Sequence, residues 1–191
     1  MRIGVLALQG AFREHICAIE VLDTSAVAVR LPAQLDECDG LIIPGGESTA
    51  ISKLMDAYGF HEPIAARHAD GMAVWGTCAG AILIAKEIVD GIAGQRGLEL
   101  MDISVQRNAY GRQVDSFEAD LEFDHFVEPY RGVFIRAPWI EHVGDGGEIL
   151  AKHDEHIVAA REGNLMATTF HPELTGDPRI HRYFLEHVVA G

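Results

Sequence analysis

The stretch Val74-Trp75-Gly76-Thr77-Cys78-Ala79-Gly80, followed by the apolar run 81–85, decides the fold of this chain. It predicts a buried strand that turns sharply into a helix, with Cys78 at the turn. Glycines on both sides of the cysteine let the backbone fold tightly and hold the side chain above the sheet. N–H groups in the first helical turn, with the positive end of the dipole, favour a thiolate. Cys78 is therefore a candidate nucleophile, although a buried cysteine at a packed corner satisfies the same pattern.

Strand and helix patterns alternate around this turn. Strands are predicted at 2–8, 26–31, 40–44 and 72–76. Helices are predicted at 12–22, 51–58, 64–70 and 81–89. We expect the continuous apolar run 2–8 to be the central strand, because such runs are typical of parallel strands buried on both faces. The alternation predicts an α/β fold of three layers, in which a doubly wound, mostly parallel sheet has helices on both faces.

Beyond Gly91 the pattern changes to short strands separated by turn residues, which predicts some antiparallel strands in the C-terminal half. These strands are expected near 103–105, 119–123, 132–135, 148–152, 157–161 and 165–170. A hairpin is predicted at Glu162-Gly163-Asn164, and a final helix at 178–188. No repeat or linker interrupts the chain, so we expect residues 1–191 to form a single domain.

Composition excludes several classes of partner and location. The formal net charge is −14 and no basic run occurs, so we expect no binding to nucleic acid. No signal pattern and no apolar run long enough to span a bilayer is present, so we expect neither export nor membrane insertion. Three cysteines, an odd number, favour the reducing cytoplasm over a disulfide framework. Cys17 is interpreted as core filler, and Cys38 has no partner spacing.

A second informative loop follows the strand at 40–44. Gly45 and Gly46 allow the backbone to approach a ligand, and Ser48 or Thr49 can cap the next helix. Ligands of open α/β sheets bind at the carboxyl ends of the strands, where Cys78 should also lie. The glycines alone are explained better by an ordinary tight turn between a strand and a helix. Their predicted position beside Cys78 is what makes this loop a candidate binding element.

A cysteine nucleophile needs a base, and the base needs a group that orients it. His171 follows the apolar strand 165–170 and precedes Pro172-Glu173. Residues i and i+2 of an extended segment project to the same side, so Glu173 can hold one imidazole nitrogen and leave the other for Cys78. An exposed His-Pro-Glu turn is the structural alternative.

The other histidines carry less information. His153 and His156 lack a third ligand at suitable spacing, so no metal is predicted. Solvent-exposed positions are predicted for His61, His68, His125, His153, His181 and His187.

These residues together resemble the vitamin B6 branch of the class I, triad-type glutamine amidotransferases, the glutaminase subunits of pyridoxal 5′-phosphate synthase. The resemblance covers nearly the whole chain. The motifs that carry it are 4–10 with Glu14-His15, Pro44-Gly45-Gly46-Glu47-Ser48-Thr49, Gly76-Thr77-Cys78-Ala79-Gly80, Arg107-Asn108-Ala109-Tyr110-Gly111-Arg112-Gln113, Phe134-Ile135-Arg136-Ala137-Pro138 and His171-Pro172-Glu173-Leu174. Tyr110 and Ala81 depart slightly from the usual family residues.

The resemblance implies hydrolysis of L-glutamine to L-glutamate and ammonia, without a cofactor. Cys78 is then the nucleophile, His171 the base and acid, and Glu173 the residue that orients it. The backbone N–H groups of Gly46 and Ala79 are expected to form the oxyanion hole. The residues expected to bind glutamine are Gly46, Glu47, Ser48, Arg107, Ile135 and Arg136.

The resemblance also implies a partner, a synthase subunit that receives the ammonia. Two other functions fit parts of the sequence. One is an amidotransferase that serves an imidazole, pyrimidine or purine precursor, against which the segment 107–113 argues. The other is a non-catalytic subunit that regulates its partner, against which the intact Cys78, His171 and Glu173 argue.

Overall fold

The described strands form one ten-stranded sheet and a separate two-stranded sheet. The computed structural model describes residues 1–91, 94–107 and 116–191. The strands are β1 (Arg2–Leu6), β2 (Ser25–Val29), β3 (Gly40–Ile43), β4 (Ala73–Thr77), β5 (Ala85–Val89), β6 (Met101–Gln106), β7 (Ser116–Leu121), β8 (Tyr130–Ile135), β9 (Trp139–Val143), β10 (Glu148–His153), β11 (His156–Glu162) and β12 (Leu165–Thr168). The α-helices are α1 (Phe12–Glu20), α2 (Ser48–Tyr58), α3 (His61–Ala69), α4 (Ala79–Ile84) and α5 (Arg179–Tyr183). Short 3₁₀ helices lie at Pro32–Glu37 and Pro172–Leu174, and a π-helical segment, Phe184–Val189, extends α5.

The sheet combines a parallel half with an antiparallel half. β2, β1, β3, β4 and β12 lie in that order and are parallel neighbours. The sheet continues from β12 through β11, β9 and β6 with antiparallel pairing, and β5 lies parallel to β6 at the far edge. β10 pairs antiparallel with β11. The predicted α/β class, with antiparallel strands in the C-terminal half, is confirmed.

Helices cover both faces of the parallel half. Side chains along a strand alternate between faces, so Leu41 and Ile43 of β3 lie opposite to Ile42. The first two belong to the same hydrophobic cluster as residues of α2, α3 and α4. Ile42 belongs instead to the cluster that contains residues of α1 and α5. The three-layer arrangement follows from this division.

The expectation that residues 2–8 form the central strand is wrong. β1 lies between β2 and β3, one strand in from the edge. An apolar run indicates burial on both faces, which β1 has, but the crossover connections set the position of a strand in the sheet. β4 and β12 take the more central positions, and they lead to Cys78 and His171.

The predicted helix 81–89 is also only half right. The helix α4 ends at Ile84, and the remaining residues form β5, which pairs with β6. An apolar run cannot by itself distinguish a buried helix from a buried strand. The strand β9 was missed, because its pairing with β6 and β11 is not visible in its own sequence. The hairpin is confirmed, with Glu162 opposite Leu165 and Gly163 in a left-handed conformation.

Three side chains lie in environments other than those predicted. Cys17 is exposed rather than in the core. His61 and His181 are buried rather than solvated, with 4% and 0% of their surface exposed. A helical pattern shows which residues share a face, but the packing of the neighbouring elements decides which face is covered. Within the described ranges, no helix combines the length and apolar character needed to cross a bilayer.

Candidate active site

Cys78 lies at a strained corner between β4 and α4. Its backbone has φ 47° and ψ −103°, a conformation that a non-glycine residue rarely adopts. The corner is this tight because Gly76 and Gly80 lack side chains. A Cβ at Gly80 would run into the Ile43 carbonyl, and one at Gly76 into the backbone of Gly80. The Cys78 N–H donates to the Thr168 carbonyl at 2.8 Å, which ties the corner to the end of β12.

His171 follows the end of β12 and forms a hydrogen bond with Glu173. The distance from Nδ1 of His171 to Oε1 of Glu173 is 2.8 Å. His171 is 8% exposed, and the Glu173 side chain is fully buried. Burial by itself lowers the pKa of His171, but contacts with Cys78 and Glu173 outweigh it and raise this pKa to about 10. Imidazolium is therefore the favoured form of His171.

The strand β8 and the loop at Gly45 and Gly46 hold Cys78 and His171 in place. The His171 N–H donates to the Val133 carbonyl at 2.8 Å. The Ile135 carbonyl lies 4.0 Å from the Cys78 sulfur. Gly45 lies against the imidazole, since a Cβ there would be 2.5 Å from Cε1 of His171. A side chain at position 45 would push the base out of place.

One cavity brings the predicted residues together. Its volume is about 400 Å³, which is ample for an amino acid. Cys78 and His171 open onto it. The other residues that line it are Gln9, Gly46, Glu47, Ser48, Ala79, Ile82, Arg107, Ile135, Arg136 and Pro138. Every residue predicted to bind glutamine therefore lies on the wall of the cavity that contains the nucleophile.

Glu47, rather than Ser48 or Thr49, caps α2. Its carboxylate accepts hydrogen bonds from the backbone N–H groups of Thr49 and Ala50. The Thr49 hydroxyl is the largest influence that lowers the pKa of Glu47, and the charge of Arg107 adds to it. A carboxylate can cap the start of a helix as well as a hydroxyl can, so the sequence pattern did not distinguish Glu47 from Ser48 or Thr49 as the cap. The Glu47 N–H in turn donates to Oε1 of Gln9 at 2.9 Å.

Both residues expected to form the oxyanion hole, Gly46 and Ala79, line the cavity. Ala79 begins α4, so its N–H is one of the first-turn donors that have no acceptor within the helix. Gly46 lines the same cavity from the loop that precedes α2. The part of the family motif at 108–113, including Tyr110, lies outside the described residues. Among those that are described, no three histidine, cysteine or carboxylate side chains form a group that could hold a metal ion.

Sequence reasoning missed a set of polar residues behind the triad. His15 of α1 lies within 3.3 Å of Oε2 of Glu173, and its other nitrogen is 2.9 Å from His181. The hydroxyl of Thr77 contacts His15 and accepts from the Gly45 N–H at 3.0 Å. The available signal was a histidine on the apolar face of the first helix. His15 shares that face with the core residue Ile19.

Solved structures with this fold define the class. A crystal structure described as a glutamine amidotransferase matches with a TM-score of 0.93 and 48% identity, over 99% of each chain. The structure of PurLQS from Thermotoga maritima matches with a TM-score of 0.69 and 15% identity, over 97% of this chain and 98% of the other. The second likeness concerns the fold alone. The class of protein is that of the glutamine amidotransferases.

Sequence comparison gives the family. The SNO glutamine amidotransferase family model matches residues 5–190. The chain is 56% identical over 189 residues to the pyridoxal 5′-phosphate synthase subunit PdxT of Streptomyces coelicolor, covering 98% of this chain and 94% of the relative. It is 55% identical over 190 residues to the protein of the same name from Pelotomaculum thermopropionicum, covering 99% and 96%. The chain belongs to the SNO glutamine amidotransferase family, and the resemblance inferred from the sequence is confirmed.

Proposed function

We propose that the chain hydrolyses L-glutamine to L-glutamate and ammonia with Cys78, His171 and Glu173 as its triad. The observation that carries the proposal is the hydrogen bond between His171 and Glu173 at 2.8 Å, beside a cysteine held at a strained corner. The Cys78 thiolate attacks the carbonyl carbon of the glutamine side-chain amide, and the carbonyl oxygen becomes an oxyanion. The N–H groups of Gly46 and Ala79 stabilise that charge.

His171 moves the protons of both half-reactions. As the tetrahedral intermediate collapses, the imidazolium gives a proton to the departing nitrogen, which leaves as ammonia, and a thioester remains on Cys78. A water molecule then attacks the thioester while His171 accepts its proton. Glutamate leaves, and the thiolate and imidazolium form again. Glu173 keeps Nδ1 of His171 protonated throughout, so the other nitrogen faces the sulfur.

The rim of the cavity is suited to hold the amino acid end of glutamine. Arg107 and Arg136 supply guanidinium groups, either of which can pair with the α-carboxylate in a forked geometry. The Glu47 carboxylate already caps α2. We therefore assign the contribution of Glu47 to glutamine binding to its backbone. Ser48 adds a hydroxyl. Ile135 adds an apolar side chain and the carbonyl next to the sulfur.

We further propose that the ammonia passes to a synthase subunit, for the formation of pyridoxal 5′-phosphate. The relatives with 55–56% identity are named as subunits of that synthase, which supports the proposal. Ammonia released into water at neutral pH is mostly protonated and no longer nucleophilic, so direct transfer has a chemical purpose. Free thiols at all three cysteines are compatible with action in the cytoplasm. Both ends of the chain supply strands to one sheet, which supports one domain over residues 1–191.

The test is release of glutamate from glutamine by the purified chain together with its synthase partner. We expect Cys78→Ala to reduce kcat by on the order of 10⁵ or more, because the nucleophile is lost. Cys38→Ala is the matched control, since Cys38 is also buried but its sulfur donates a hydrogen bond to the Gln34 carbonyl, away from the cavity. Activity that survived Cys78→Ala would overturn the proposal. Absence of glutamate release from the wild-type complex would do the same.

A further inference from the structure

We propose that His15 is a positioning residue for the reaction, which shares one ring N–H between the Thr77 hydroxyl and Oε2 of Glu173 and thereby fixes the carboxylate that orients His171. This inference rests on the proposed function, because it assigns a task within that triad. Nε2 of His15 lies 3.3 Å from Oε2 of Glu173, and both side chains are fully buried. The triad thus continues inward to a fourth side chain.

The carboxylate of Glu173 needs this contact. An ionised carboxylate accepts hydrogen bonds at both oxygens, and a buried one is costly to leave half satisfied. Oε1 accepts from His171, whereas Oε2 has no aligned hydrogen-bond partner among the described residues. His15 is the side chain that lies in ion-pair range of Oε2. Hydrogen bonds of this kind are often long in the resting enzyme and shorten when charge develops.

The position of the proton on His15 follows from its surroundings. Burial lowers the pKa of His15 well below its ordinary value, and the nearby charges of His181 and His171 lower it further. Burial likewise lowers the pKa of His181 to about 3. Both rings are therefore neutral, and each carries one N–H. Nδ1 of His15 and Nε2 of His181, which are 2.9 Å apart, must share one proton.

We assign that shared proton to His181, so that His15 carries its own proton on Nε2. In this arrangement Nδ1 of His181, which has no partner in the described part of the chain, is a bare acceptor. In the opposite arrangement it would be a buried N–H without an acceptor. A lone pair of His15 would then also face the negative charge of Oε2. Both consequences cost free energy, so the first arrangement is favoured.

Packing holds the His15 ring in this orientation. Trp75 meets the edge of His15, with ring centroids 5.6 Å apart, and meets His181 at 5.0 Å. The Thr77 hydroxyl lies 3.2 Å from Nε2 of His15 and accepts the Gly45 N–H. Trp75 and Thr77 belong to the strand that leads into Cys78, and Gly45 lies against His171. His15 therefore connects α1 to Glu173, to the strand before Cys78 and, through Thr77, to Gly45.

A pair of variants separates positioning from mere filling of space. His15→Leu keeps a similar volume without a donor, whereas His15→Gln restores an N–H near the position of Nε2. In the complex with the synthase partner, we expect His15→Leu to lower kcat by roughly tenfold to a hundredfold, by analogy with the residues that orient metal-binding histidines. KM should change by less than about threefold, because substrate is not touched. His15→Gln should recover most of the lost kcat.

The pH dependence of kcat/KM and the pKa of His171 provide a second test of the role of His15. Without the donor, Glu173 supports the imidazolium less well, so the alkaline limb of kcat/KM and the pKa of His171, followed by nuclear magnetic resonance, should move to lower pH. His61→Leu is the matched control, since it removes a buried imidazole that faces Asp56 instead of the triad. If His15→Leu does not fold, His181→Phe should move the same pKa less far in the same direction.

Two results would overturn the role of His15. One is a wild-type kcat and pH profile in His15→Leu. The other is a loss equal to that of His61→Leu, with the pKa of His171 unchanged. The resonance measurement needs no turnover. A wild-type complex that released no glutamate would therefore refute the proposed function, while the pKa of His171 would still decide the role of His15.

Discussion

The cavity has two halves that are built differently. On one side Cys78, His171 and Glu173 are buried, His171 is hydrogen-bonded to Glu173, and His15 lies in ion-pair range of Glu173. On the other side lie exposed residues, among them Glu47 just before α2 and Ile135 at the end of β8, which is 38% exposed. Burial strengthens the electrostatic interactions of the first half and fixes its geometry before substrate arrives. The second half stays open to admit and recognise an amino acid. Variants of the first half should therefore change kcat, and variants of the second half should change KM.

The largest effect in this comparison is expected at Glu173. Glu173→Gln keeps the shape but removes the charge that stabilises the imidazolium, so we expect kcat to fall by on the order of a thousandfold. The raised pKa of His171 means that its proton is normally lost only as the pH approaches about 10. With one cause of that increase removed, the alkaline limb of kcat/KM should move to lower pH. Steady-state glutamate release between pH 6 and 10 measures both.

Asp177→Asn is the control for Glu173→Gln. Asp177 is a partly buried carboxylate close in sequence to Glu173, but it pairs with Arg179. Its loss should leave kcat and the pH profile nearly unchanged. A normal alkaline limb in Glu173→Gln would show that the buried half does not work through the charge of this residue.

A smaller effect is expected at Gly46, where the two halves meet. A Cβ there would run into Oε1 of Gln9, which accepts the Glu47 N–H. Gly46→Val should displace this loop and the donor that it offers to the oxyanion, lowering kcat by on the order of a hundredfold. Gly146→Val is a suitable control, because a Cβ at Gly146 meets only the end of the Glu162 side chain, at 3.6 Å. An unchanged kcat in Gly46→Val would remove Gly46 from the oxyanion hole.

The smallest effect is expected at Arg107, on the open side. If its guanidinium pairs with the α-carboxylate in the ground state and the transition state alike, Arg107→Ala should raise KM by roughly tenfold and change kcat little. Arg131→Ala, which removes an exposed arginine paired with Glu118 and Asp120, should alter neither constant. A fall in kcat at constant KM would instead assign Arg107 to catalysis or to contact with the partner. The division between the two halves would then need to be redrawn.

The parts predicted from the sequence share a local cause. The turn at Cys78 depends on glycines only two residues away, and the pairing of His171 with Glu173 depends on adjacent backbone. The hairpin at Gly163 is local in the same sense. Predictions failed where the outcome depended on distant partners. The run at 85–89 becomes a strand because β6 lies beside it, and β1 is not central because later crossovers place β4 and β12 there.

The sequence by itself determined the α/β class and the family and proposed the reacting groups, because short motifs and periodic apolar residues carry that information. Only the tertiary structure decided what stands behind the triad. His15 and His181 are 166 positions apart in the chain, yet Nδ1 of His15 and Nε2 of His181 lie 2.9 Å apart in the core. Whether a histidine on a helix is solvated or buried depends on the elements packed over it. For His181 that packing reversed the prediction, and for His15 it placed a buried imidazole against the carboxylate of Glu173.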